Sequence, residues 1–175
     1  MQTAAATQPQ PTEYAPYYGK YTALVPEGDI INTLESQLNE TLSILRGLSE
    51  KQGDFVYAPG KWSLKEVVGH ILDTERIFGH RAFRFARADA TPLPGYEQDD
   101  YVRAGNFGSR SLKDLIDELE LVRRATISMF RSLDEEAWLR RGVANENEVS
   151  VRALAYILAG HETHHMGIIR ERYLQ

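Results

Sequence analysis

The chain has 175 residues, of which 42% are hydrophobic and 26% charged, with a net charge of −5 and no cysteine. One domain with one core suits that length, and the missing cysteines exclude disulfides, thiolate metal ligands and a cysteine nucleophile. No apolar run approaches the roughly 18–20 residues that would span a bilayer. No dense basic patch of the kind a nucleic-acid binder carries is visible either, and the expected compartment is the cytoplasm.

Residues 1–13 are mostly Gln, Thr, Ala and Pro and read as a disordered tail; they carry neither the basic nor the apolar region of a secretory signal. A single domain is expected over 14–175. It begins with "YAPYYGKYTALVPEGD", whose tyrosines call for burial, so this stretch is expected to pack across the body as an extended arm.

Four helical patterns follow. Asp29 is a suitable N-cap for the first, and Ile31, Leu34, Leu38, Leu42, Leu45 and Leu48 recur at helical spacing. "KQGDFVYAPGKW" breaks the pattern. Ser63 with Glu66 forms a capping box for the second helix, whose seam runs through Leu64, Val67, Val68, Ile71, Phe78, Ala82 and Phe85. The connection "ADATPLPGYEQDDYVRAGNFG" is longer than is usual inside a compact domain. Ser111 caps the third helix, with Leu112, Leu115, Leu119, Val122, Met129 and Leu133 on one stripe. A turn-rich region holding Trp138 and "GVANENEVS" shows no convincing strand pair, and Ser150 caps a fourth helix that runs almost to the end. The expected fold class is all-α, a four-helix bundle with a long crossover between the second and third helices.

The fourth helix contains "AGHETHHMG", which satisfies H-E-x-x-H through His161, Glu162 and His165, with Thr163 and His164 between them. Helical geometry reads these letters differently. His161 and His165 lie about 40° apart on the seam with Leu154, Leu158, Ile168 and Arg172, whereas His164 falls about 90° off it and Glu162 about 70°. A lone histidine on an apolar face is ordinarily a hydrogen-bonded core residue. Two at i and i+4 need partners for both ring nitrogens, few polar residues share the face, and one divalent metal resolves the shortage. Only ten residues follow His165 and none is histidine, so a third ligand must come from upstream, unlike the common zinc-protease layouts. On the second helix His80 lies opposite the seam, Glu75 lies within about 40° of it and His70 about 100° away. Periodicity leaves His70 and Glu75 open, and a buried salt bridge with an arginine is an equal reading of Glu75. The dipeptide Gly-His recurs at 69–70, 79–80 and 160–161 but is too short to count as a repeat.

The stretches "YAPGKWSLKEVVGHILDTERIFGHRAFRFARAD", "PLPGYEQDDYV", "NFGSRSL" and "NENEVSVRALAYILAGHETHHMGIIRERYL" together resemble the DinB-like metal-binding four-helix-bundle superfamily, in the branch grouped with metal-dependent hydrolases. The resemblance covers nearly everything from about residue 14 onward. It implies an up-up-down-down bundle, a homodimer, and a divalent metal held by His70, in the "GHILDTE" context, with His161 and His165. It thereby decides against Glu75 as third ligand. Relatives so implied include hydrolases and low-molecular-weight-thiol transferases.

Three imidazoles leave coordination positions open, as in catalytic zinc sites. Zn2+ is the first expectation, although Ni2+ and Fe2+ also accept imidazole. The expected function is a metal-dependent hydrolase that uses a metal-activated water on a small molecule. The alternatives are a thiol S-transferase, with the metal holding a thiolate, and a non-enzymatic binder of metal or ligand. Glu75 and Glu162 are the candidate catalytic carboxylates, with Asp99 and Asp100 as further options that read more readily as a solvated loop or helix start. Trp62 and Tyr96 are candidates to line a pocket, although an aromatic at such a place is more often core.

Overall fold

The structure, a computed structural model, describes residues 4–174. Its elements are α1 (Gly19–Thr22), α2 (Ile30–Leu45), α3 (Glu50–Gly53), α4 (Leu64–Ala86), α5 (Gln98–Gly105), α6 (Leu112–Arg131), α7 (Glu135–Leu139), a hairpin of β1 (Arg141–Ala144) and β2 (Asn147–Ser150), and α8 (Val151–Ile168). The long helices α2, α4, α6 and α8 form the bundle. Their starts follow the capping chemistry written in the sequence. Asp29 accepts from the Ile31 and Asn32 amides, Ser63 and Glu66 close their capping box, and Ser111 and Ser150 accept from Asp114 and Ala153.

Cross-links fix the directions of the helices. Glu35 pairs with Arg131 and Arg46 with Glu120, so α2 and α6 are antiparallel. Gln37 reaches Ala159 and Glu40 reaches Arg170, so α2 and α8 are parallel. Glu75 meets Arg123 while Gly79 faces Thr126, so α4 and α6 are parallel. The order is therefore up-down-down-up, which corrects the up-up-down-down order that the resemblance implied. A parallel succession from α4 to α6 obliges the chain to return along the length of a helix, and the crossover, with α5 inside it, does this.

Further departures concern the last connection and the N-terminal stretch. "GVANENEVS" contains a real strand pair, with Arg141 opposite Ser150 and Ala144 opposite Asn147. Asn145 and Glu146 make its two-residue turn, both at positive φ (50° and 61°). A two-residue turn at positive φ is the favoured hairpin connection, and Asn is one of the residues that tolerate it. Residues 4–13, read as tail, lie against the body: Ala4 and Ala5 are buried, and buried Glu13 accepts from Ser150 and pairs with Arg152. Residues 1–3 of that tail lie outside the described residues. The tyrosine-rich stretch does pack across the body, as short helical turns rather than an extended arm.

The core consists of two apolar clusters. One joins Ile30–Leu34 of α2 to Phe78–Ala86, Ile127–Phe130 and Val151–Ala159. The other joins Leu38–Leu45 to Leu64–Leu72, Leu112–Leu119 and Met166–Tyr173. At the level between them each long helix contributes polar side chains: Gln37 and Thr41, Thr74 and Glu75, Arg123 and Thr126, His161 and Glu162.

Candidate metal centre

α4 brings in His70, and α8 brings in His161 and His165, at this polar level. Their ring nitrogens lie within 4.8 Å of one another, and His70 Nε2 is 3.0 Å from His161 Nε2. Nitrogens bound tetrahedrally to one zinc at about 2.0–2.1 Å sit roughly 3.3 Å apart, so the spacing suits a shared ion. The i and i+4 positions converge because the intervening turn stacks one imidazole above the other, with ring centroids 4.4 Å apart.

Burial holds the three rings neutral, the form that binds metal. It lowers His70 to about 4, against an opposing pull from the Asp99 charge. It lowers His165 to about 3, with His70, His164 and Lys20 adding to the effect. His161 falls well below the ordinary imidazole range, first through burial and then through the neighbouring imidazoles and Arg123. His164 is half-buried, its ring against Tyr21, and stays outside the cluster. His80 is exposed on another face of α4.

Two glycines make room for this geometry. A Cβ at Gly160 would overlap the backbone carbonyl of Tyr21, and one at Gly69 would overlap the Phe107 ring. The missing side chains let α1 and the crossover pack directly beside the histidines that follow. The Tyr21 ring then lies 5.5 Å from His161 and the Trp62 ring 5.0 Å from His70.

Glu75 and Glu162 are both buried and do not join the histidine cluster. Arg123 binds both. Its Nε and Nη2 donate to Glu75 at 2.9 and 2.8 Å, Nη2 lies 2.6 Å from Glu162 Oε2, and Thr41 donates to Glu162 Oε1 at 2.5 Å. The salt-bridge reading of Glu75 thus has its arginine. The sequence does signal Arg123, which follows Leu115 and Leu119 at the next i+4 step of the α6 seam. Glu162 is more deeply buried than its angle off the seam suggests, because the first half of α8 is enclosed on all sides. Beyond His165 the helix widens into a π-helical turn, Ile169–Tyr173, so Ile169 and Tyr173 are buried in place of the predicted Ile168 and Arg172.

A cavity of about 400 Å³ reaches His161. Tyr18, Tyr21, Phe78 and Tyr96 wall it, Thr74 lies deep in it, and Glu97, Asp99, Asn145 and Asn147 stand toward solvent. Tyr96 and Asp99 line the cavity, while Asp100 does not. Trp62 contacts His70 without lining this space. A larger cavity of about 500 Å³ between α2 and α8 touches Glu162 but no histidine. It lies apart from the three-imidazole chemistry, so the smaller cavity is the one that matters to the centre.

Comparison with known proteins agrees with this architecture. A protein of Oceanobacillus iheyensis named "Putative metal-dependent hydrolase OB0413" is 26% identical over 142 residues, which is 80% of this chain and 79% of that one. YfiT of Bacillus subtilis, described as a probable metal-dependent hydrolase with an unusual four-helix bundle topology, superposes with a TM-score of 0.67 at 14% identity, covering 94% of this chain and 90% of that one. The DinB-like protein YjoA of Bacillus subtilis gives a TM-score of 0.60 at 21% identity, covering 81% and 87%. At such identities the two structures speak for the fold alone. The family model for the DinB superfamily matches residues 33–169, most of the bundle and all three clustered histidines; the chain belongs to the DinB superfamily.

Proposed function

We propose that this protein is a metal-dependent hydrolase of a small molecule, with a divalent ion, Zn2+ first among the candidates, held by His70, His161 and His165. The observation that carries the reading is the convergence of three neutral imidazoles, His70 and His161 buried and His165 half-buried, with His161 at the wall of a cavity large enough for a small substrate. The relative in Oceanobacillus iheyensis carries a name of the same class. When bound, the ion supplies Lewis acidity and a water of lowered pKa.

The chain's own residues supply the rest. Tyr18, Tyr21, Phe78 and Tyr96 offer aromatic walls against which a small substrate can lie. Glu75 and Glu162 neutralise Arg123 and hold α4, α6 and α8 at the level of the histidines, a positioning role rather than proton transfer. Asp99 lines the cavity and is the carboxylate we assign to accept a proton from water there.

Elemental analysis of the purified protein should give about one divalent ion per chain, as one three-histidine site requires. His70→Ala and His161→Ala should lose the ion, and His80→Ala should keep it. Ester or amide cleavage without added thiol should follow the ion. Loss of metal in His80→Ala with retention in His70→Ala would remove the proposed ligand set. Thiol-dependent consumption of an electrophile, without hydrolysis, would replace the hydrolase reading with thiol transfer.

A further inference from the structure

Four cationic side chains are buried among the described residues: Lys65, Arg81, Arg123 and Arg152. Three have carboxylate partners. Lys65 pairs with Glu50 and Asp54, Arg123 with Glu75 and Glu162, and Arg152 with Glu13. Arg81 is only 4% exposed, yet no carboxylate pairs with it among the described residues. Its Nη2 donates to the Pro94 carbonyl at 2.8 Å, its guanidinium lies 5.0 Å from the centre of the Phe78 ring, and its charge acts on the nearby Tyr18 hydroxyl. These contacts use part of a group with five donors, and none of them cancels its charge. A buried ion without a counter-charge is costly, and proteins keep one mainly where something else supplies the opposite charge.

The surroundings supply space for that charge. A cavity of about 300 Å³ opens between α4 and the crossover, lined by Arg76, His80, Arg81, Tyr96 and Tyr101 among apolar neighbours, with no Asp or Glu in its lining. Arg76 is already paired with Glu118, which leaves Arg81 as the uncompensated cation. This cavity is separate from the one at the histidines. The two share Tyr96, whose hydroxyl is 2.9 Å from Thr74 Oγ1 on the metal side.

We propose that this cavity binds the oxyanion group, carboxylate or phosphate, of a small molecule. Arg81 supplies the charge, and His80 and Tyr101 are the accessible donors beside it. Charge-assisted bonds to a planar guanidinium are strong and directional, which suits an oxyanion. The site would account for both the missing carboxylate and the histidine of α4 that the metal centre does not use.

Calorimetric titration of the full chain with inorganic phosphate, and separately with benzoate, tests this at ionic strength matched with chloride. Saturable binding of about one anion per chain is expected, with the tighter probe identifying which oxyanion the site prefers. Arg81→Met should weaken binding by about tenfold or more, the usual effect of losing a hydrogen-bonded charge. His80→Gln should weaken it by a smaller factor, and His70→Ala should leave it unchanged. If Arg81→Met fails to fold, the His80 ring resonances of the native chain should still shift saturably with the anion. Absence of saturable binding, equal binding by folded Arg81→Met, or loss of binding in His70→Ala overturns the proposal. The last result would place the anion on the metal centre instead.

Discussion

Arg123 is the residue on which the centre of this molecule turns. It is completely enclosed, and its charge is met by two carboxylates from different helices. Glu162 sits next to His161 in α8, so the same interaction that neutralises the arginine fixes the turn that presents one of the proposed ligands. Removing one member of such a group leaves charge buried without a partner, at a cost of about 3–5 kcal/mol. Arg123→Met is therefore expected to unfold at markedly lower denaturant and to bind metal more weakly. Glu75→Gln with Arg123→Met should recover part of the stability, because one stranded carboxylate is then removed. If Arg123→Met alone melts like the native protein, the group does not hold the helices. The sequence made the histidines legible because imidazoles at i and i+4 on a leucine seam are conspicuous. It left the roles of Glu75 and Glu162 open, because periodicity shows which face a carboxylate occupies but not which base approaches it from another helix.

At the scale of elements, the helices were readable and their connections were not. Asp29, Ser63, Ser111 and Ser150 mark helix starts through side-chain bonds to amides three or fewer residues away, a local relation that survives any tertiary arrangement. The hairpin and the docked residues 4–13 depend on distant partners. Glu13 finds Arg152 across 139 residues, and composition carries no trace of that. Gly160 has the same character. In the sequence it is one of three glycines that precede a histidine, and in the fold it is the point where the backbone of α1 touches α8. Gly160→Ala should expel α1 and cost about 1–3 kcal/mol, the usual penalty for overpacking. The check is limited proteolysis, which should cut near Tyr17–Leu24 far sooner than in the native protein. Unchanged protection would mean that the close approach is easily relaxed.

The whole molecule extends further toward its N-terminus than the bundle needs. Ala4 and Ala5 contribute to the first apolar cluster, and Glu13 is the carboxylate that neutralises buried Arg152. The domain we infer therefore begins ahead of residue 14. Deleting residues 1–13 should strand Arg152 and lower the melting temperature by about 6–12 °C, taking roughly 3 kcal/mol for the lost partner and 2–4 °C per kcal/mol for a domain of this size. An unchanged melting temperature would return these residues to the status of a tail.

The polar level between the two apolar clusters has one more consequence, for how the protein finds its fold. Leucines tolerate many alignments, and two helices displaced by one turn, about 5.4 Å, can still bury apolar faces against each other. The level of Arg123, Glu75, Glu162 and Thr41 tolerates one. A slipped bundle would drive the guanidinium in among leucines and phenylalanines with no acid to meet it, and it would separate His70 from the α8 pair by the same displacement. Misassembly is thus penalised at the level of the proposed ligands, so the chains able to bring the three imidazoles together are those that have already been proofread.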